Sequence, residues 1–299
     1  VPEVSVVIPA YNAEQTLAET LKSLLAQTFA DFEAIVVDDG SKDGTATVAR
    51  SFSDHRVRVV AIPNGGVATA RNRGISEARS PIVAFLDADD LWLPGKLERQ
   101  FAALNEHPDA AISVTAATRI DQASRAVGHM NVDDGAEDQC LALLLGSMVL
   151  GCVSSGVARK QILDSVGGFD PRFSQCADWD LWLRLSVAGP FAVIDEPLVG
   201  YRSTGGNMSS DISLLEHDSF AVLDAFFGRP EAAQYAHLRA RIYSNHWMIC
   251  AGSYLHAGQP RSAGRCLAMG LRQYPGNVSR ALGLPSRRVG RLFHRGSER

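Results

Sequence analysis

The stretch Val83-Ala84-Phe85-Leu86-Asp87-Ala88-Asp89-Asp90-Leu91-Trp92 decides how the chain is read, because an apolar run ends there in three carboxylates within four residues. The run lacks the spacing of an amphipathic helix and suits a strand covered on both faces. In open α/β sheets, ligands sit at the carboxyl ends of such strands. Carboxylates crowded this closely repel one another, so they are tolerated in solvent or around a divalent cation.

Working back toward the start, the same grammar repeats. Val4 to Ile8 is a β-branched run stopped by Pro9, after which Asn12 is expected to cap a helix with Leu17, Leu21, Leu24 and Leu25 on one face. Glu33 to Val37 forms a second strand ending in Asp38-Asp39-Gly40-Ser41, and Asp43-Gly44-Thr45 opens a short helix. A third strand, Val57 to Ile62, leads through Asn64-Gly65-Gly66 into a helix from Val67 to Ala78 that carries Arg71 and Arg73. The resulting β-α-β-α-β-α-β series predicts an α/β fold: a mostly parallel, Rossmann-like sheet with right-handed crossovers and helices on both faces. Its ligand cleft should lie across Pro9-Ala10-Tyr11, Asp38-Asp39 and Asp87-Ala88-Asp89. The turn after the first strand is neither GxGxxG nor GxxxxGK[ST]. Any phosphate bound here must therefore be managed by carboxylates and a metal rather than by backbone amides alone.

Past Trp92 the pattern becomes mixed: a helix from Pro94 to about Asn105, a strand around Ile112 to Ala116, and polar loops to Gly135. Cys140 to Ala158 is uncharged over nineteen positions, but its three glycines and three serines make it a buried helix, turn and strand rather than a bilayer span. Asp178-Trp179-Asp180-Leu181-Trp182 then starts a helix. A carboxylate at that position has the helix dipole behind its ionised form and can stand ready to accept a proton. From Ser213 onward the chain reads as helices, with a break at Gly258-Gln259-Pro260. The expected organisation is residues 1–212 as a catalytic domain, split into a nucleotide-binding half (1–92) and an acceptor-binding half (93–212), followed by a helical region over 213–299.

With 299 residues and 46% hydrophobic composition, the chain can bury a large core, which excludes a disordered protein. The formal charge of -4 conceals an asymmetry: Arg261 to Arg299 holds nine Arg and one Glu, a net +8, leaving -12 on residues 1–260. A basic tail suits anionic lipid head groups, hence peripheral membrane contact, and equally a solvated or partly disordered end over Ser286 to Arg299. Nucleic acid is not the expected partner, since the tail has only Phe293 as an aromatic near its end and an acidic domain precedes it. Five cysteines without a CxxC pair indicate neither a zinc site nor a disulfide framework, and fit a reducing cytoplasm. With Val4 already opening the fold, no leader segment is expected ahead of it. Exposed apolar helix faces are compatible with a homodimer.

Six pieces in order carry a family resemblance: Val6-Val7-Ile8-Pro9-Ala10-Tyr11-Asn12, Val37-Asp38-Asp39-Gly40-Ser41, Ala70-Arg71-Asn72-Arg73-Gly74, Phe85-Leu86-Asp87-Ala88-Asp89-Asp90, Gly167-Gly168-Phe169-Asp170 and Asp178-Trp179-Asp180-Leu181-Trp182-Leu183-Arg184. Over Val4 to about Ser209 the chain resembles an inverting glycosyltransferase of family 2 with the GT-A fold. The resemblance implies a nucleotide-sugar donor, UDP-linked, and a glycan or lipid-linked glycan acceptor, which with the cysteines and the basic tail gives an expected place in the cytoplasm, peripheral at the inner face of the membrane. Pro9, Ala10 and Tyr11 would border the nucleotide, with Tyr11 stacking on the base and Asp39 accepting a hydrogen bond from its imide. Arg71 would lie beside base or phosphates, Asp87 would face ribose or sugar, and Asp89 would bind Mn²⁺ or Mg²⁺. Asp178 matches the general base, with Asp38, Asp90, Trp179 and Arg202 as further donor or acceptor contacts.

The chemistry agrees independently. Displacing a nucleoside diphosphate from an anomeric carbon leaves negative charge for a cation, and the attacking hydroxyl needs a carboxylate on the opposite side of the sugar. Two departures stand out: Ala177 where members usually have Glu before the base, and Ser203-Thr204 where many have His after the tyrosine-arginine pair. They favour, as an alternative, a nucleotide-sugar-binding scaffold with impaired catalysis. A nucleotidyltransferase is disfavoured by the missing glycine-rich basic loop after the first strand. Asp38 and Asp39 could also simply close a strand, and Asp90 could cap the following turn. Asp180 reads as surface or structural, and the helical histidines lack metal-ligand spacing.

Overall fold

Strand β1 (Val4–Ala10) is buried at every position and lies at the centre of the parallel half of the sheet. The computed structural model describes residues 1–132, 136–146, 152–203 and 211–278. Helix α1 (Leu17–Leu25) returns the chain to β2 (Phe32–Asp39), and α2 (Thr45–Arg50) leads to β3 (Val57–Ile62). Then α3 (Val67–Glu77) leads to β4 (Ile82–Phe85). These four strands run parallel in the order β3-β2-β1-β4, with Ala10 opposite Asp38, Asp39 opposite Ile62 and Val7 opposite Phe85. That register brings Tyr11, Gly40, Pro63 and Leu86 out along one edge.

Local chemistry explains the packing. Leu17, Leu21 and Leu24 of α1 are fully buried in the same core cluster as Val4, Val6 and Ile8. Truncating one of them, such as Leu24, should cost about 2–5 kcal/mol. Gly74 lets α3 approach β1 so closely that a Cβ there would stand 2.2 Å from Val7 Cγ1. Asn12 does not cap α1, which starts five residues later; it takes a positive φ of 50°. Its side-chain oxygen accepts from the Lys42 amide at 2.9 Å, while the Ala13 amide donates to Thr45 Oγ1 at 2.7 Å. The turn after β1 is thereby tied to the turn after β2, and the helix begins only once those bonds are made.

The second half of the sheet is mixed. After β5 (Leu91–Trp92) and α4 (Lys96–Glu106) come β6 (Ile112–Ile120) and β7 (Ala126–Met130). Next follow α5 (Gln139–Leu144), β8 (Val157–Arg159), α6 (Lys160–Val166), α7 (Ala177–Ala188) and β9 (Phe191–Arg202). The order continues β4-β8-β6-β9-β5, with β7 on β6. The joins β4 to β8, β8 to β6, β6 to β7 and β9 to β5 are antiparallel, and only β6 to β9 is parallel. The parallel sheet expected from the alternation thus describes β1 to β4, where βαβ crossovers set the direction, and not the later strands.

The chain divides into two compact units, one of residues 1–143 and 148–207 and one of residues 144–147 and 208–299. In the second, α8 (Ile212–Phe227) is capped by the Asp211 side chain, which accepts from the Ser213 and Leu214 amides. It is followed by a 3₁₀ segment, Pro230–Leu238, and by α9 (Arg239–His256) and α10 (Pro260–Gln273). Cys250, Ala251, Tyr254, Ala263 and Cys266 form its small core, and Phe220 stacks on Trp247 with centroids 4.0 Å apart. His246, buried, sits 2.9 Å from the Leu144 carbonyl and so serves packing. Among the described residues no helix is long and apolar enough to cross a bilayer. Gly151, within the uncharged stretch, and the 286–299 tail lie outside them.

Candidate functional site

The carboxyl ends of β1, β2 and β4 present the expected residues along one edge. Pro9 and Ala10 belong to the buried strand itself and are paired opposite Val37 and Asp38. Tyr11, the next residue, is 49% exposed, a large ring left uncovered beside the strand ends.

The two aspartates ending β2 point into the protein. Asp38 is buried, and its Oδ1 accepts from the Ser41 amide at 3.0 Å, closing the turn. Asp39, only 3% exposed, accepts from the Gly65 amide at 2.8 Å on one oxygen and from the Gly66 amide at 2.9 Å on the other. Gly66 has φ +86°, a conformation that lets its amide turn back toward Asp39 as α3 starts. Asp39 therefore builds the loop that borders the edge.

The β4 end is different. Asp87 and Asp89 are half-buried, whereas Asp90 is buried. Arg71 reaches from α3 to donate from Nη2 to Asp87 Oδ1 at 2.7 Å, with its guanidinium 5.1 Å from the Phe169 ring centroid. Its Nε is buried with no partner among the described residues, a polar atom still unsatisfied at the site. Burial, and then the charge of Asp87, push the Asp89 carboxyl up to about 6. Asp90 is raised well above its ordinary value by burial and by Asp89 and Asp87. It binds Ser154 Oγ at 2.6 Å and accepts the Arg202 backbone amide at 2.9 Å. Asp90 is thus an internal brace, which replaces its expected place among the donor or acceptor contacts.

Asp178 lies in the first turn of α7, half-buried, with its Oδ1 accepting the Trp179 amide at 2.7 Å. Burial raises its carboxyl above the usual range. Arg71 and the Trp179 amide pull the other way, and Asp87 adds to the upward push. A carboxylate from another element therefore senses the Arg71–Asp87 pair. Trp179 is half-buried, its Nε1 donating to Leu143 O at 3.2 Å, and Trp182 is core. Ala177 is buried, and Ser203 donates its amide to Ile120 O. Thr204 lies outside the described residues.

Arg202 is also turned inward, contrary to the expectation of a donor or acceptor contact. It is 2% exposed, and each of its guanidinium nitrogens already donates to protein oxygens, so none is left aimed at the cleft.

Several residues to which sequence reading gave no place in the site assemble this edge. Asn72 donates to Phe169 O at 2.7 Å and accepts from the Phe169 amide at 2.8 Å, fastening the Gly167–Asp170 turn to α3. Asp180 and Arg184 form a buried pair one helical turn apart, and Arg184 Nη1 donates to Gly168 O at 2.7 Å, fastening α7 to the same turn. Ser154 accepts the Asp87 amide at 2.9 Å, and Thr16 and Thr20 donate to Ala88 O at 2.9 and 3.0 Å. The i, i+4 spacing of Thr16 and Thr20 on one helix face was the available signal. A shallow depression lined by Arg79, Arg159 and Lys160 lies at the opposite ends of the strands. Its cations are occupied there, Arg159 by main-chain carbonyls and Lys160 by Asp164.

The donor set suits a divalent cation. Asp87 and Asp89 supply hard oxygens, and the crowding and burial that raise Asp89 would be relieved by a positive ion. Among the described residues no third His, Cys, Asp or Glu joins them, so further ligands would have to come from a bound anion or water.

The pattern described as Glycosyl transferase family 2 matches residues 5–165. An uncharacterized glycosyltransferase of Rickettsia typhi is 34% identical over 188 residues, 61% of this chain and 58% of that protein, so the chain spans little more than half its relative's length. TuaG of Bacillus subtilis, described as a teichuronic acid biosynthesis glycosyltransferase, is 32% identical over 222 residues, 70% of this chain and 82% of its own. The crystal structure of S. aureus TarS in complex with UDP-GlcNAc aligns with a TM-score of 0.60 at 17% identity, covering 89% of this chain and 90% of that one. At that identity the likeness is one of fold.

Proposed function

This chain belongs to glycosyl transferase family 2 and has the GT-A fold, and on that premise we propose that it moves a sugar from a UDP-linked donor to a hydroxyl of a glycan or lipid-linked glycan, inverting the anomeric carbon. The observation that carries the reading is the gathering of three carboxylates from two elements around one cation. Arg71 donates to Asp87 at 2.7 Å, and its charge acts on both Asp89 and Asp178.

The roles follow from placement. Tyr11 stacks on the base, while Asp39 fixes the Asn64–Gly66 loop that walls the nucleotide. Asp87, already bonded to Arg71, faces ribose or sugar. Asp89 anchors Mn²⁺ or Mg²⁺, which when bound draws off the charge that gathers on the leaving diphosphate. Arg71 Nε, without a partner among the described residues, is open to an anionic group. Asp178, held by the Trp179 amide, takes the proton from the acceptor hydroxyl as it attacks the anomeric carbon, with Trp179 beside it as part of the acceptor wall. Direct attack assisted by a base yields inversion.

A UDP-linked donor is supported by the UDP-GlcNAc bound in TarS, and a glycan acceptor by the pathway ascribed to TuaG. The net +8 of Arg261 to Arg299 suits an acceptor presented on an anionic membrane surface at its cytoplasmic face.

Isothermal titration with UDP, GDP and dTDP, each with and without Mn²⁺, tests the reading. Preferential UDP binding that Mn²⁺ strengthens and Asp89→Ala abolishes is the expected result. Absence of nucleotide binding in every condition overturns it. Metal-strengthened binding without sugar transfer would move the reading to a nucleotide-sugar-binding scaffold.

A further inference from the structure

The Asp87–Asp90 loop is held from every side, and one residue holds it at two points. Arg202, the last residue of β9, donates from Nε to Asp89 O at 2.7 Å, while its backbone amide donates to Asp90 Oδ1 at 2.9 Å. Nη1 donates to the carbonyls of Asp121 and Gln122 at 3.1 and 3.0 Å. Nη2 donates to Glu19 Oε2 at 2.8 Å and to Ser124 Oγ at 3.2 Å. Ser124 takes a positive φ of 60° and donates its hydroxyl to Glu19 Oε1 at 2.7 Å. Glu19, Ser124 and Arg202 therefore form a closed triangle joining α1, the β6–β7 turn and the end of β9, from which Arg202 reaches the loop after β4.

The geometry points to a positioning role: we propose that Arg202, itself steered by Glu19 and Ser124, sets the bearing of the Asp89 carboxylate toward its cation through the Asp89 carbonyl. The inference rests on the proposed reading that Asp89 holds the metal. Three observations favour it over a purely packing role. A charge-assisted hydrogen bond to a peptide carbonyl fixes that peptide plane, and with it the direction in which the Asp89 side chain leaves the main chain. Lysine, with one compact ammonium, cannot reach Asp89 O, the 121–124 turn and Glu19 at once, so the planar fork is what the site uses. Third, the neighbouring loop atoms are already held by other groups, Ala88 O by Thr16 and Thr20 and the Asp87 amide by Ser154, which leaves Arg202 as the handle on Asp89. Residues that orient a metal ligand typically alter metal affinity about 10- to 100-fold when changed.

The triangle reaches solvent at Glu19, whose side chain is 49% exposed, so it can be altered without opening the core. Mn²⁺ binding in the presence of UDP is followed through the spin-resonance signal of free Mn²⁺, for the unaltered protein, Arg202→Lys, Glu19→Gln and Leu24→Ala. The last is a core truncation that lowers stability without removing a hydrogen-bonding group of the loop. Arg202→Lys should weaken Mn²⁺ about 10- to 100-fold and Glu19→Gln by about threefold to tenfold, with UDP affinity in the absence of metal unchanged in both. Leu24→Ala should melt at lower temperature and keep its Mn²⁺ affinity.

If Glu19→Gln and any folded Arg202→Lys keep Mn²⁺ affinity within twofold of the unaltered protein, the proposal is overturned. The same holds if Leu24→Ala weakens Mn²⁺ as much as they do, since general destabilisation would then account for the loss. Failure of the unaltered protein itself to bind Mn²⁺ with UDP would instead overturn the donor-site reading beneath it.

Discussion

Two strand ends of the same sheet finish in aspartates, and they are used in opposite ways. At the end of β2, Asp38 and Asp39 are buried and turned onto main-chain amides: one for Asp38, two for Asp39. At the end of β4, Asp87 and Asp89 stay half-open, and burial, followed by the charge of Asp87, raises Asp89 to about 6. A carboxylate whose oxygens are taken up by amides is committed to building its loop. One that faces another carboxylate in a partly dry setting stores repulsion that a cation can release. Identical side chains thus serve as loop builder at one strand end and, in the proposed reading, as ligand at the other, and the difference lies in whether nearby amides point at them.

The comparison can be broken experimentally at several places. The largest effect is expected at Asp178, the third raised carboxylate of the edge. Asp178→Asn should lower the rate of sugar transfer by about 10²–10⁴-fold while UDP binding persists. At saturating metal, which removes the titration of Asp89 from the profile, activity should rise with pH along a limb above the ordinary carboxylate range, because only the ionised base accepts a proton. A limb at the ordinary range would show that burial does not govern this group.

On the structural side of the comparison, Asp39→Ala strips two partly buried amides of their acceptor and should destabilise the protein by about 2–4 kcal/mol. Chemical denaturation reads that loss, which calorimetry should find accompanied by weaker UDP binding. Unchanged stability would mean that Asp39 is free to face the nucleotide.

The smallest effect has the opposite sign. Because folding raises the Asp89 carboxyl from an ordinary value near 3.8 to about 6, its stabilising neutral form is fully present below about pH 4 and is lost as pH rises through about 6. An uncharged substitute should recover that loss. Asp89→Asn should therefore stabilise the metal-free protein by about 1–2 kcal/mol at pH 7.5 and by nothing at pH 4, as thermal melting across pH would report. A gain that is flat with pH would remove the claim that Asp89 is strained by its neighbours.

Much of the fold was legible because its signals are local. Apolar runs ending in Asp or Pro marked β1, β2 and β4, and leucine spacing marked the buried face of α1. Alternation implied parallel strands with right-handed crossovers, while their order, β3-β2-β1-β4, came only with the structure. Strand direction beyond β4 was not legible, because antiparallel joins can be made by turns or long loops that leave no periodic mark. Asn12 was misread as a helix cap because its partner, the Lys42 amide, belongs to a loop thirty residues away.

The site divides in the same manner. By itself, the order of residues supplied the candidates, Tyr11, Asp39, Asp87 and Asp89 at strand ends, Arg71 within α3 and Asp178 at a helix start, and the family those positions match. Only the tertiary structure decided which carboxylates stay available. Asp89 and Asp90 are neighbours of the same type, yet one remains half-open while the other is locked between Ser154 and the Arg202 amide. Arg202, which reads as a cleft residue, likewise became a buried brace with partners on α1 and in the β6–β7 turn. The physical reason is common to both: a polar side chain is committed by the donors and acceptors that surround it in space, and those come from segments far away in the chain.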